Sequence, residues 1–376
     1  MARPITELAR PNILAIRPYV PGKPIEEVER ELGLKDVIKL ASNENPVGPS
    51  PRAVAAMQAA AEKVNFYPDS NCFYLKEDLA QFLGFEPANL IVGNGSDELL
   101  KLIAEAFLKE GEEVIYGVPS FVEYEFVTRV MGGQIIEVPL QNLTYDLPAI
   151  AEKITSRTKL IFICNPNNPT GTIVGQKEIQ AFMDQVPEDV LVVFDEAYYE
   201  YVTDAAFPDS LDYVRQGKRV IVLRTFSEIY GLAGLRIGYG IATPDIIDCL
   251  MRVREPFNVN SIAQAGAQAA LEDQAWIKKV RDLNTQGRDY WYGELTAMGL
   301  EYAPTQGNFI FINLGISGAE VSQRLMKLGV IVRPGHVFGY PDYVRVTIGT
   351  PEQNERFIAA LRMVLTEMGR LNPENK

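Results

Sequence analysis

Short apolar runs rich in β-branched residues alternate with helix-period stretches across the middle of the chain. The runs fall at 90–92, 113–116, 134–138, 160–163, 190–194 and 219–223. Between the first two, segment 97–109 carries Leu99, Leu100, Ile103 and Phe107 on one face, the spacing of an amphipathic helix. This alternation predicts βα units around a mostly parallel sheet flanked by helices, an α/β architecture. Sheets of that kind place ligands at the carboxyl ends of their strands, so the polar residues after each run are the candidate chemistry.

After about residue 275 the pattern changes to a long amphipathic stretch ending at 298. Apolar runs follow at 308–314, 330–332 and 344–348, with helix-period segments at 319–328 and 351–369. A smaller α+β domain is predicted. The first 40 residues, punctuated by Pro4, Pro11, Pro18, Pro21 and Pro24, predict an extended arm packing on it. The expected division is an arm over 1–40, a large domain over 41–274 and a small C-terminal domain over 275–376. The crevice between the two domains is a natural binding site.

Charge narrows the partners. Across 376 residues, 36 Lys and Arg stand against 49 Asp and Glu, a net charge of −13. That balance opposes nucleic-acid binding, which relies on basic residues to displace counterions from phosphates. Three cysteines without a CxxC spacing predict a reduced compartment and neither a disulfide framework nor a thiolate zinc site. With His336 as the only histidine, a multi-histidine metal site is excluded. In its Pro-Gly-His loop, His336 reads as an ordinary loop residue. No run approaches the ~18 apolar residues of a membrane span and no secretory leader is evident; a soluble, cytoplasmic protein is expected.

Four polar constellations follow the strand-like runs. Gly93-Asn94-Gly95-Ser96-Asp97-Glu98 opens a helix; Ser96 or Asp97 can cap it, and its first-turn N–H groups can hold a phosphate. Taken alone, and lacking the G-x-G-x-x-G spacing, it reads first as a plain helix cap. Asn165-Pro166-Asn167-Asn168-Pro169-Thr170-Gly171 is a turn presenting asparagine amides. Asp195 and Tyr198 leave one strand end three residues apart. Thr225, Ser227 and Arg236, among glycines, form a second phosphate-type locus. Together they describe a phosphorylated aromatic cofactor lying across strand ends, its ring nitrogen facing a carboxylate and its phenolic oxygen facing an amide and a tyrosine.

On these residues the sequence resembles the fold-type I pyridoxal-phosphate aminotransferases, specifically the histidinol-phosphate aminotransferase family. The resemblance also includes Arg17 to Pro24, Ser42-Asn43-Glu44-Asn45-Pro46, Tyr67-Pro68-Asp69, the Gly231 to Gly238 run and Val344 to Thr350. It implies that Asp195 pairs with the pyridine nitrogen, that Asn168 and Tyr198 bind the ring hydroxyl, and that Phe121 stacks on the ring. Ser96, Asp97, Thr225, Ser227 and Arg236 would hold the cofactor phosphate, with Tyr67 reaching it from the second subunit of a homodimer. Tyr19, Arg333 and Arg345 would meet the substrate, although an ordinary surface salt bridge is the alternative for Arg333. The implied reaction passes an amino group from histidinol phosphate, a small-molecule amino donor, to the 2-oxo acid 2-oxoglutarate, in histidine biosynthesis. An aromatic amino-acid aminotransferase, a decarboxylase of phosphorylated amino acids and a non-catalytic cofactor- or metabolite-binding relative are the alternatives.

One position departs from the pattern. The family's Schiff-base lysine follows the residue matching Ser227 and precedes that matching Arg236 by eight; here it is Glu228. A carboxylate cannot form an imine, so both cofactor activation and the lysine's proton shuttle are lost. The chain is expected to be catalytically impaired. Nearby anions should raise the Glu228 pKa, and the amine form, pyridoxamine phosphate, is expected to be favoured because its ammonium can pair with Glu228.

Overall fold

The computed structural model describes residues 4–16, 18 and 22–371. Its largest sheet has seven strands in the spatial order Leu90–Gly93, Gly238–Ala242, Val220–Thr225, Leu191–Asp195, Thr158–Cys164, Glu113–Val118 and Gln134–Pro139. Gly238–Ala242 runs antiparallel to both neighbours, and the remaining strand pairs are parallel. Helices cover both faces, which is why central strands such as Leu191–Asp195 and Val220–Thr225 are buried at every position.

All six apolar runs become strands. The seventh, Gly238–Ala242, is hidden in sequence by its glycines, a residue type that weakens strands. Packing explains them. A Cβ on Gly238 would lie 2.8 Å from the Ser96 nitrogen, and one on Gly240 would lie 3.2 Å from the side chains of Ile221, Ile91 and Leu223. Glycine therefore lets this strand press against the start of helix Ser96–Phe107.

A second, four-stranded antiparallel sheet runs in the order Arg333–Pro334, Tyr343–Thr347, Phe309–Asn313, Glu301–Tyr302. Helices Gly318–Lys327 and Pro351–Glu367 contribute Val321, Leu325, Phe357, Leu361 and Leu365 to its core. Helix Gln274–Ala297 belongs to both cores: Ile277 and Val280 pack under the large sheet, Trp291 and Leu295 under the small one.

The N-terminal segment is not simply extended, since it contains helices Pro11–Leu14 and Ile25–Leu32. Asn12 donates to the Arg129 and Val130 carbonyls on the flank of the large sheet. Farther on, Ile38–Lys39 pairs in parallel with Val330–Ile331 beside the small one. Among the described residues no helix is long and apolar enough to cross a membrane.

Candidate active site

A cavity of about 380 Å³ opens at the carboxyl ends of the central strands. Its lining brings together Ser96, Asp97, Phe121, Asn168, Asp195, Tyr198, Thr225, Ser227, Glu228 and Arg236, joined by Ser42, Glu44, Cys164 and Ala197 among others. Residues separated by more than a hundred positions converge because strands Thr158–Cys164, Leu191–Asp195 and Val220–Thr225 are neighbours in register.

Asp195 ends its strand fully inside the protein. The Tyr124 hydroxyl donates to its Oδ2 at 2.7 Å, and the Ala197 N–H to its Oδ1 at 3.3 Å. Burial pushes its pKa up to about 6, against the opposing effect of the Tyr124 bond. Such a carboxylate gains from a cationic partner in the cavity, such as a protonated ring nitrogen. The Tyr198 hydroxyl accepts from Asn43 Nδ2 at 2.9 Å and from Asn168 Nδ2 at 3.4 Å. Arg345 in turn donates to Asn168 Oδ1 at 2.6 Å and to the Ala41 carbonyl at 2.7 Å, fixing the amide's orientation.

At the other end of the cavity the Thr225 and Ser227 hydroxyls bond each other at 2.9 Å. Arg236 Nη2 reaches Asp97 Oδ2 at 2.9 Å, and Arg236 holds the left-handed backbone conformation, φ 55°, that L-residues seldom adopt. Helix Ser96–Phe107 begins here with Gly95 at its cap and no side-chain cap bond, so neither Ser96 nor Asp97 takes the capping position. A Cβ on Gly95 would sit 2.7 Å from Arg236 Nη2. Guanidinium, hydroxyls and a helix N-terminus form a cradle for a dianion that any side chain at 95 would fill.

Glu228 lies between the two ends. Its loop is held from several sides. The Gly231 N–H donates to the Glu228 carbonyl at 2.9 Å, Asn45 Nδ2 donates to the Ile229 carbonyl at 2.9 Å, and Leu232 N–H donates to the Phe226 carbonyl at 3.0 Å. Gly231, at φ 70°, lies so close to Gly48 that a Cβ would come within 2.6 Å of its backbone. Glu228 Oε2 is buried with no hydrogen-bond partner. Burial first, then the Asp195 charge, raises the pKa to about 8; desolvation, more than the anionic repulsion expected from sequence, is the leading cause. The donor set thus fits a phosphorylated, nitrogen-containing aromatic group held without covalent attachment, and lacks the amine that would capture an aldehyde.

Other sequence candidates lie outside the lining. Arg333 is half-buried and opposite Arg345 in the register of the small sheet. Tyr67 is 83% exposed and stacks on Phe257 at 4.8 Å between ring centroids. Tyr19 lies outside the described residues. Sequence reasoning missed Tyr124 and Asn43 as site residues. Tyr124 looks like a core position on helix Glu123–Met131, where its ring stacks on Phe162 at 4.7 Å and only the hydroxyl reaches the site. Asn43 carried a signal, because it sits in the Ser42 to Pro46 motif.

The family model for aminotransferase class I and II matches residues 35–361. A histidinol-phosphate aminotransferase of Moorella thermoacetica is 58% identical over 357 residues, covering 95% of this chain and 92% of that protein. Another, of Caldicellulosiruptor saccharolyticus, is 49% identical over 356 residues, covering 95% and 99%. Among solved structures, the histidinol-phosphate aminotransferase of Sinorhizobium meliloti in complex with pyridoxal-5'-phosphate superposes with a TM-score of 0.88 at 30% identity, covering 95% of this chain and 97% of that one. With strand-end cavity, sheet order and sequence in agreement, the chain belongs to the class I and II aminotransferases.

Proposed function

We propose that the cavity holds pyridoxal 5'-phosphate and that the framework is that of a histidinol-phosphate:2-oxoglutarate aminotransferase, severely impaired by Glu228. The observation that carries this reading is the pairing of a buried, tyrosine-anchored acid at one end of the cavity with a guanidinium, two hydroxyls and a helix N-terminus at the other. The relatives' names supply the substrate. When bound, the cofactor supplies a carbonyl that carries the amino group and a ring that takes up electrons.

The chain's own residues do the rest. Asp195 keeps a proton on the ring nitrogen, Tyr124 holds that carboxylate in place, and Asn168 and Tyr198 orient the ring through its oxygen. Phe121 covers a face, and Thr225, Ser227, Arg236 and the backbone at Ser96 and Asp97 grip the phosphate. Arg345, Arg333 and Tyr19 meet the donor's phosphate or the oxo acid's carboxylates. Tyr67, exposed as are Val64, Phe66 and Tyr74, serves the partner subunit's site in a cytoplasmic homodimer. The unit formed by 41–274 carries the cofactor, 275–376 forms the smaller domain, and 1–40 is the arm.

Converting Glu228→Lys is the test. The variant should retain pyridoxal phosphate covalently after borohydride reduction and convert histidinol phosphate with 2-oxoglutarate to glutamate. Failure to retain it refutes the cofactor site. Preference for phenylalanine, or CO₂ release without glutamate, replaces the substrate assignment with an aromatic aminotransferase or a decarboxylase. Glu228 itself favours a second reading, a binding protein without turnover; efficient multiple turnover by the unaltered chain would exclude it.

A further inference from the structure

Glu228 presents to the cavity a carboxylate oxygen, Oε2, that meets no donor, the carboxylate's donor being its own backbone N–H. Its Oε2 is buried without a partner, and the loop that carries it is pinned by Gly231 against Gly48 and by Asn45, so the backbone holds the residue at the cavity wall. The titratable groups acting on it are acids: Asp195 from strand Leu191–Asp195, Asp97 from helix Ser96–Phe107, and Glu200 from the turn Tyr199–Tyr201, with the Tyr198 and Tyr201 phenols nearby. Among the described residues lining the cavity, Arg236 is the one cation, and it is engaged with Asp97 at 2.9 Å. The field at Glu228 is therefore negative, and the missing complement is a cationic donor.

Resting on the cofactor reading above, we propose that this cavity selects the amine form of the coenzyme, pyridoxamine 5'-phosphate, whose ammonium donates to the Glu228 carboxylate. The two forms share the phosphate, the ring nitrogen and the ring oxygen, so contacts with Arg236, Asp195 and Asn168 largely cancel in the comparison. They differ at one substituent. An aldehyde oxygen only accepts and would face another acceptor, whereas an ammonium brings three donors and a positive charge. The ammonium also takes the place of the proton that burial and Asp195 otherwise hold on Glu228 up to about 8. The lysine that the family resemblance implies at this point would capture the aldehyde covalently; here the preference inverts because the residue has the opposite charge.

Equilibrium dialysis of the full chain, purified free of cofactor, against each form at pH 8 measures the preference. Pyridoxamine phosphate should bind on the order of 10- to 100-fold more tightly than pyridoxal phosphate, the range a charge-assisted hydrogen bond supplies. In E228Q, with an isosteric neutral amide, the ratio should fall to within about threefold. Surface lysines react with the aldehyde equally in both proteins and drop out when the ratio for E228Q is set against that for the unaltered chain; within one protein, aldehyde bound to them is counted by borohydride trapping and subtracted. Equal or tighter binding of the aldehyde form by the unaltered chain, binding of neither form, or an undiminished ratio in E228Q overturns the proposal. If E228K meanwhile retains pyridoxal phosphate covalently, only this preference falls; if it does not, the cofactor assignment falls with it.

Discussion

Replacing Glu228 by glutamine isolates the cost of keeping an acid inside the cavity of the cofactor-free protein. Burial and the Asp195 charge raise its pKa from the ordinary 4.5 to about 8. At about 1.4 kcal/mol for each tenfold change in proton affinity, this amounts to at most about 5 kcal/mol. Water reaching the half-buried side chain screens part of it, leaving about 2–5 kcal/mol. The sign follows from the direction. Because the folded pKa is the higher one, the contribution of Glu228 is fully present below pH 4.5 and is lost as pH rises through about 8. Glutamine does not titrate, so the variant's advantage should be smallest near pH 4.5, open across the intervening range and level off above about 8. Unfolding entropy for a chain of 376 residues is about 0.8 kcal/mol/K, so the gap in Tm should grow by about 3–6 °C between pH 5 and pH 9. Scanning calorimetry of both proteins, without cofactor, reads it directly. A gap of constant size, or one that widens on acidification, would refute the reasoning.

Three further outcomes follow from other parts of the site. Glu196→Ala should cost about 3–5 kcal/mol in urea unfolding, because Arg224, which donates to Glu196 Oε2 at 3.0 and 2.8 Å, would be left as a buried charge. Gly231→Ala should lose at least about 2 kcal/mol and weaken pyridoxamine phosphate binding, since φ is 70° and the new methyl would overlap the Gly48 backbone; unfolding and dialysis together check it. Arg236→Gln should weaken binding of pyridoxamine phosphate by about 10- to 100-fold, while leaving affinity for unphosphorylated pyridoxamine nearly unchanged, as competition dialysis would show.

The parallel strands were legible because their two covered faces demand continuous apolar runs, as at 160–163 and 190–194. Strand Gly238–Ala242 was not, because what its glycines provide is room for Ser96 and Ile221, a property of neighbours absent from local sequence. The cavity lining was readable from the residues immediately after each strand, where topology leaves little freedom. Tyr124 escaped because it contributes one oxygen from an otherwise apolar position; Arg345 was named as a site residue, but its hold on Asn168, which crosses from the other sheet, was not foreseen. Local spacing records which face a residue occupies; it does not record which distant amide that residue steadies.

Helix Gln274–Ala297 has a mechanical consequence. At about 1.5 Å per residue its 24 residues form a strut about 36 Å long, one end cast into each core. Midway, Gly287 lies so close to Ile348 and Asn354 that a methyl there would approach within 2.6 Å. Any swing of one sheet relative to the other must bend or rotate this strut near that contact. The spacing between the two sheets is accordingly held by a stiff rod as well as by the direct bond from Arg345 to Asn168.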